Sequence, residues 1–281
     1  MMRKNNNARQ NKSITDSTEA AYNTLRRLCH GGAQSLGINL TEAQLAQFEK
    51  LTSLLLSWNS KFNLTRITEL EDIVVKHYVD SLSCLAAADI AEGALVVDVG
   101  SGAGFPGLPL AIARPDLRIT FIEATGKKVR FIAEACQAVL SREPKIFSLE
   151  QECGMQALDI GECVTIVHGR AEQAGRIKAF REKFDVAVAR ALARMPILAE
   201  YCLPFVHVGG IVIAMKGQLI EDELREALRS ISVLGGGEPS VCELVLPGTE
   251  IERRLVVIPK VKPTPSLYPR SSAEIARKMV N

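Results

Sequence analysis

The sequence predicts an α/β protein with a doubly wound, mostly parallel sheet and a helical segment ahead of it. Three observations carry this reading. Roughly the first 90 residues hold helical patterns and no convincing strand. Beyond them, short apolar runs alternate with helix-like segments, the pattern of parallel strands covered on both faces. The last two runs follow each other across Pro247-Gly248-Thr249, which predicts an antiparallel hairpin ending the sheet.

The chain opens on MMRKNNNARQNKSITDSTEA, a polar stretch read as a disordered tail over residues 1–20. It carries positive charge but no apolar h-region, so it is not read as a secretory signal. Thr41-Glu42-Ala43-Gln44 predicts a capping box. Leu45, Phe48, Leu51, Leu55 and Trp58 then recur at three- and four-residue spacing and are read as the core stripe of a helix. Asn63-Leu64-Thr65 interrupts it, and a second helical stretch carries Ile73, Val74, His77 and Leu82. Seven strands are expected, at Leu95–Val99, Ile119–Ile122, Val164–Val167, Val186–Ala189, Ile211–Met215, Val241–Leu246 and Leu255–Ile258. Helices are expected between them at Leu108–Arg114, Lys127–Leu140 and Pro196–Pro204. Residues 141–163 are too long for a tidy connection and are read as an insertion.

Of the 281 residues, 47% are apolar and 23% charged, ordinary for a water-soluble globular protein. No stretch approaches the ~20 apolar residues that span a bilayer, so no membrane partner is expected. Seven scattered cysteines form no C-x-x-C pair, which argues against a disulfide framework and a zinc site and for a reducing cytoplasm. The net charge of +2 neither excludes nucleic acid nor requires it.

The strongest local signal is Leu95-Val96-Val97-Asp98-Val99-Gly100-Ser101-Gly102-Ala103-Gly104-Phe105-Pro106-Gly107, a buried strand running into glycines and then a helix. Alternating glycines let the turn reach unusual backbone angles and bring its N–H groups against a ligand. The helix N-terminus that follows favours a carboxylate or phosphate. Two ligands fit. Gly102 to Gly107 satisfies G-x-G-x-x-G, with Glu123 near the offset of a ribose-binding acid, the signature of a dinucleotide site. Asp98 to Gly104 also satisfies the D-x-G-x-G-x-G of methyltransferases, with Asp98, Gly100, Ser101, Gly102 and Gly104 at the amino-acid end of the cofactor and Glu123 on the ribose.

Further stretches match in one order: Trp58…Asn63-Leu64-Thr65, His77…Asp80-Ser81, Asp98–Ile112 and Lys127-Lys128-Val129-Arg130-Phe131. They continue with Gly169-Arg170-Ala171-Glu172, Asp185…Ala189-Arg190-Ala191, Gly209-Gly210…Met215-Lys216-Gly217, Arg253 to Val257 and Tyr268-Pro269-Arg270. On these residues the chain resembles the RsmG (GidB) family, bacterial methyltransferases that modify N7 of a guanine in 16S rRNA. The tail and the length of 141–163 depart from the family pattern. The resemblance implies a Rossmann-like class I S-adenosylmethionine-dependent methyltransferase, with a seven-stranded, mostly parallel sheet and an N-terminal helical subdomain. Residues 1–20 are then the tail, 21–92 the helical subdomain and 93–281 the methyltransferase domain. S-adenosyl-L-methionine is the implied cofactor, and 16S rRNA or the 30S ribosomal subunit the implied partner. A cytoplasmic monomer without a metal is expected. Carried over by residue, Gly100, Phe105, Ala171, Glu172 and Arg190 touch the cofactor.

Guanine N7 has an exposed lone pair and no proton, so methyl transfer to it needs no general base. Holding donor and acceptor in line can supply ~7–11 kcal/mol. This agrees with the absence of a nucleophile–base constellation among the dispersed histidines. Arg190 and Lys216, ending the expected fourth and fifth strands, are the candidate catalytic residues. His77, Lys127, Lys128, Arg194 and Arg270 are candidate substrate contacts, and His77 and Asp80 share a helix face. Two alternatives stay open on the residues alone. A NAD-dependent oxidoreductase would need a hydride-transfer partner that is not found. A non-catalytic rRNA-binding factor retaining the fold would show a decayed cofactor loop, whereas Gly100, Gly102, Gly104 and Glu123 are intact.

Overall fold

The structure is a computed structural model that describes residues 2–150, 164–217, 220–277 and 280, with side chains from residue 19 onward. Thr41 caps helix α2 (Glu42–Phe62): Gln44 N–H donates to its Oγ1 at 3.3 Å, and Thr41 N–H donates to Gln44 Oε1 at 2.8 Å. The Gln44 amide also donates to the carbonyls of Ile112 and Ala113, at 2.8 and 3.0 Å. The cap that starts α2 therefore docks it on the end of α5 (Gly107–Ala113). Leu45, Phe48, Leu51 and Leu55 are buried as the stripe predicts, and Asn63 ends the helix in the left-handed conformation at φ 49°.

Ahead of it, α1 runs over Met2–Ser35, so the expected disordered tail is helical from Met2 on. No glycine or proline interrupts residues 2–30, and the far end is anchored by the buried Leu25, Cys29 and Ala33. A packed end supplies the nucleus from which a helix without breakers extends. The second helical stretch is α3 (Leu70–Ile73), a π-helical turn over Val74–Val79, and α4 (Asp80–Ala87). Tyr78 on that turn bonds Thr52 Oγ1 at 2.7 Å and packs on Phe48 with ring centroids 4.9 Å apart.

The sheet strands are β1 (Leu95–Val99), β2 (Arg118–Glu123), β3 (Lys145–Ser148), β4 (Thr165–His168), β5 (Phe184–Arg190), β6 (Val206–Lys216), β7 (Ser240–Val245) and β8 (Glu252–Pro259). Their order is β3-β4-β2-β1-β5-β6-β8-β7, all parallel except the two pairings of β8. The hairpin over Pro247-Gly248-Thr249 joins β7 to β8 as expected. All seven predicted strands are present. The eighth, β3, occupies part of the stretch read as an insertion; it is an edge strand with Ile146 52% exposed, so no buried apolar run announces it. Residues 151–163 lie outside the described residues.

Side chains alternate across the sheet. Val96, Val186 and Ile213 join one core layer with the N-terminal helices, α5 and α6 (Gly126–Ala138). Val97, Ala187 and Val212 join the other, with α7 (Ala171–Ala174), α8 (Met195–Cys202) and α9 (Glu221–Val233). Strands buried on both faces read as continuous apolar runs, which is why they are visible in the sequence. The first layer is continuous from Leu25 to Leu255, so the helical segment shares its core with the sheet. Crossovers leave β1 toward β2 on one side and arrive at β5 on the other, opening a crevice beyond the carboxyl ends of β1 and β5. Among the described residues no helix is long and apolar enough to cross a membrane.

Candidate active site at the ends of β1 and β5

The glycine loop leaves β1 with Gly100, Gly102 and Gly104 at φ 71°, 61° and 78°, angles that disfavour any side chain. Glu123, at the end of β2, holds the loop: its Oε2 accepts Gly102 N–H at 2.8 Å and its Oε1 accepts Thr125 N–H at 2.7 Å. Asp98 is fully buried beneath, its Oδ2 accepting Gly107 N–H at 2.9 Å. Its Oδ1 has no partner among the described residues. Burial pushes the Asp98 carboxyl up to about 7, against the Gly107 hydrogen bond and the charge of Arg190. Ser101 is buried too, with Oγ donating to Asp98 O at 2.9 Å.

Beside this loop lies a cavity of about 320 Å³ lined by Gly100, Glu123, Ala171, Glu172, Leu192 and Tyr201, among others. Gly100 is required for its angle, φ 71°; a Cβ there would also meet the end of the Leu192 side chain, Cδ1, at 2.5 Å.

A second cavity, of about 490 Å³, opens on the other side of the β5 terminus and is lined by His77, Asp80, Arg190, Lys216 and Arg253. Both cavities include Ala191, a non-glycine residue held at φ 52°. Such a backbone costs ~1–3 kcal/mol and persists only where its surroundings fix it. The surroundings here are the partners of Arg190. Its Nη1 donates to Lys76 O at 2.7 Å and lies 3.4 Å from Asp80 Oδ2, and its Nη2 lies 3.1 Å from His77 Nδ1. In the π-helical turn, Asp80 N–H reaches back to Val75 O, and the Lys76 carbonyl accepts the arginine. Asp80 Oδ1 is held in turn by Arg253 Nε at 2.8 Å. Arg190 also lies over the Phe105 ring, 5.3 Å from its centroid. Burial lowers the Arg190 pKa, with Asp80 opposing. Burial, then the charge of Arg190, pushes His77 down to about 3, so its imidazole is neutral. An arginine only donates, so Nδ1 is the acceptor and the proton sits on Nε2, facing Thr65 Oγ1 at 3.0 Å.

A family model described as rRNA small subunit methyltransferase G (GidB) matches residues 44–156 and 149–252. The chain belongs to the GidB family. It is 41% identical to the ribosomal RNA small subunit methyltransferase G of Alkaliphilus oremlandii (strain OhILAs), over 91% of this chain and 99% of that protein. It is 45% identical to the protein of the same name from Moorella thermoacetica (strain ATCC 39073 / JCM 9320), over 87% and 93%. Among solved structures, TrmN from Thermus thermophilus is similar with a TM-score of 0.45 and 18% identity, over 65% of this chain and 48% of that one. GidB membership decides between the two readings of the glycine loop: it is a methyltransferase loop, and the dinucleotide reading falls.

Within this GidB chain the expected site residues divide. Gly100, Glu123, Ala171 and Glu172 line the first cavity, with Asp98, Ser101, Gly102 and Gly104 supporting its loop. Phe105 and Arg190, expected against the cofactor, are placed on the second side: Phe105 stacks on His77, and Arg190 lines the second cavity. Lys216 lines that cavity too, with Nζ donating to Ala193 O at 2.8 Å and to Glu223 Oε1 at 2.5 Å.

Three expected substrate contacts have partners within the fold. Lys127 Nζ donates to Phe62 O at 2.8 Å, capping the end of α2. Arg194 pairs with Glu226 at 2.7 Å. Arg270 pairs at 2.6 Å with Glu200, which is 1% exposed and needs a buried counter-charge. Lys128 is half-buried in the first turn of α6 and lines neither cavity. Sequence reasoning misses Ala191, Leu192, Tyr201, Thr65 and the role of Arg253. Tyr201 is the one detectable sign, a polar aromatic beside Glu200 in the mostly apolar run of α8.

Proposed function

We propose that this GidB chain transfers the methyl group of S-adenosylmethionine to N7 of a guanine in 16S rRNA. The name shared by its relatives supplies the substrate class. The observation that carries the reading is the pair of cavities meeting at Ala191, which we assign to a nucleoside-bearing cofactor and to a base. The residues present fit that cofactor. Glu123 and Glu172 offer carboxylates to hydroxyl and amine donors, Ile122 and Leu192 give apolar walls, and the glycine loop turns its backbone toward the cavity. When bound, the cofactor supplies an electrophilic methyl on a sulfonium.

The chain's own residues have four tasks. Glu123 ties the loop to β2 and so fixes the floor of the first cavity. Ala191, locked by the Arg190 network, sets the wall across which donor and acceptor face each other. Arg190 and Lys216 present donors to the second cavity, where guanine O6 accepts hydrogen bonds while N7 is left to attack the methyl carbon. N7 carries a lone pair and no proton, so the residues lining the cavity need only orient it and remove no proton. Asp80 lines the same cavity and holds Arg190 and Arg253 in place there. A base reaches such a cavity only when it is unstacked, so a loop nucleotide is the fitting target.

The test is incubation with labelled S-adenosylmethionine and undermodified 30S subunits or free 16S rRNA, followed by digestion and mass spectrometry. A single 7-methylguanosine, lost in Arg190→Ala, is expected, and the better substrate of the two identifies the physiological one. Methylation at a different base atom, or none on either RNA despite cofactor binding, overturns the substrate.

A further inference from the structure

The family match ends at residue 252, yet a segment well beyond it reaches Glu172, a lining residue of the cofactor cavity. After β8 the chain crosses the molecule and is held by side chains from the stretch that follows α7. Arg181 donates to the carbonyls of Thr264 and Tyr268, each at 2.7 Å, and Arg176 Nε donates to Pro269 O at 2.7 Å. Lys260, buried at the root of the segment, donates to Leu203 O at 2.7 Å and lies 3.3 Å from Glu182. Arg270 is clamped on Glu200, next to the cavity residue Tyr201. The segment ends at α10 (Ser272–Arg277), whose first residue donates its hydroxyl to Glu172 Oε1. Glu172 is 5% exposed and lines the cavity, and its Oε2 has no partner among the described residues.

We propose that residues 261–272 form a strap that braces a wall residue of the cofactor cavity from behind, with Ser272 the residue that positions the Glu172 carboxylate for an amine or hydroxyl of the bound nucleoside. This rests on the cofactor reading of the first cavity given above. A carboxylate accepts donors through either oxygen. The Ser272 hydroxyl occupies one, fixes the rotamer and leaves the other as the acceptor for ligand. Without it, Glu172 loses a charge-assisted hydrogen bond, and its side chain must be ordered each time ligand binds. Because Ser272 acts equally on ground and transition states, it affects affinity and not the methyl-transfer step.

The experiment measures S-adenosylhomocysteine binding by calorimetry on the full chain, with Ser272→Ala, Ser272→Thr, Glu172→Gln and the Ser272→Ala/Glu172→Gln pair. Ser272→Ala is expected to weaken binding about tenfold, ~1.4 kcal/mol. Threonine, which keeps the hydroxyl, restores most of it. In the Glu172→Gln background the serine change is expected to add little, since both act through one contact. The S-adenosylmethionine KM rises in Ser272→Ala while kcat stays within about twofold. Parent-like binding by Ser272→Ala, or an undiminished loss in the Glu172→Gln background, overturns the strap while leaving the cofactor reading intact. A parent protein that binds no S-adenosylhomocysteine overturns both.

Discussion

The imidazole of His77 lies flat on the ring of Phe105, with centroids 4.4 Å apart and planes 8° from parallel. Phe105 comes from the glycine loop and His77 from the π-helical turn of the N-terminal helices, so the stack joins the cofactor loop to the second cavity. Arg190 lies over the same phenyl ring and donates to the same imidazole. The three side chains form one unit: moving the loop moves the histidine, and with it the floor of the second cavity.

That unit predicts a histidine that does not titrate in the physiological range. Its pKa of about 3 lies below the ordinary 6.5, so the unfolded chain takes up the proton first. The stability His77 contributes is therefore present above about pH 6.5 and drains away as pH falls toward 3. Ring signals assigned to His77 by NMR should stay constant from about pH 5 to 8, with the proton on Nε2. A titration midpoint near 6.5 would refute the stacked, arginine-bonded geometry.

Arg190→Lys should be nearly as damaging as Arg190→Ala. The guanidinium fork reaches Lys76 O, the Asp80 carboxylate and His77 Nδ1 together, and a single ammonium cannot reproduce that geometry. Both variants should lose about 10² or more in single-turnover methylation of 30S subunits, the scale of removing one placed donor. S-adenosylhomocysteine binding should change much less, because Arg190 lines the second cavity rather than the first. A lysine variant with parent-like turnover would show that charge alone suffices there.

Arg270→Ala should act on stability and not on RNA affinity. Glu200 is left as a buried carboxylate without its counter-charge, a loss of ~3–5 kcal/mol. Urea unfolding should show that loss, while the dependence of RNA binding on salt keeps its slope, since no phosphate contact is removed. A reduced salt slope with unchanged stability would return Arg270 to the RNA surface.

Arg270 also shows where sequence reasoning runs out. Val96, Val97, Val186 and Val212 lie on strands buried on both faces, so their runs are continuous and the central strands are legible one by one. The glycine loop is legible because positive φ at Gly100, Gly102 and Gly104 restricts which residues can stand there. Edge strand β3 is solvated and leaves no such mark. Charged side chains are the hardest case: Arg190 and Arg270 look alike in sequence and each pairs with a buried acid, but only Arg190 also lines a cavity. Ser272 and Glu172, a hundred residues apart, meet where side chains distant in sequence, Arg176 and Arg181 among them, hold the strap by its backbone carbonyls.

Asp98→Asn should reveal a second pH effect, opposite in sign to that of His77. Asp98 is fully buried, and its carboxyl is pushed up from 3.8 to about 7. The native state thus holds a proton that the unfolded state releases, and the stability this gives is full below pH 3.8 and lost as pH rises through 7. Asparagine cannot ionise, and its amide oxygen can still accept Gly107 N–H. The variant should therefore lack the decline, and its stability relative to the parent should rise between pH 5 and 8 by up to a few kcal/mol. His77 is present in both proteins, so its contribution cancels in the difference. Urea unfolding of the pair across this range decides the matter: a pH-independent difference would mean that Asp98 stays ionised throughout, with its Oδ1 satisfied by a partner.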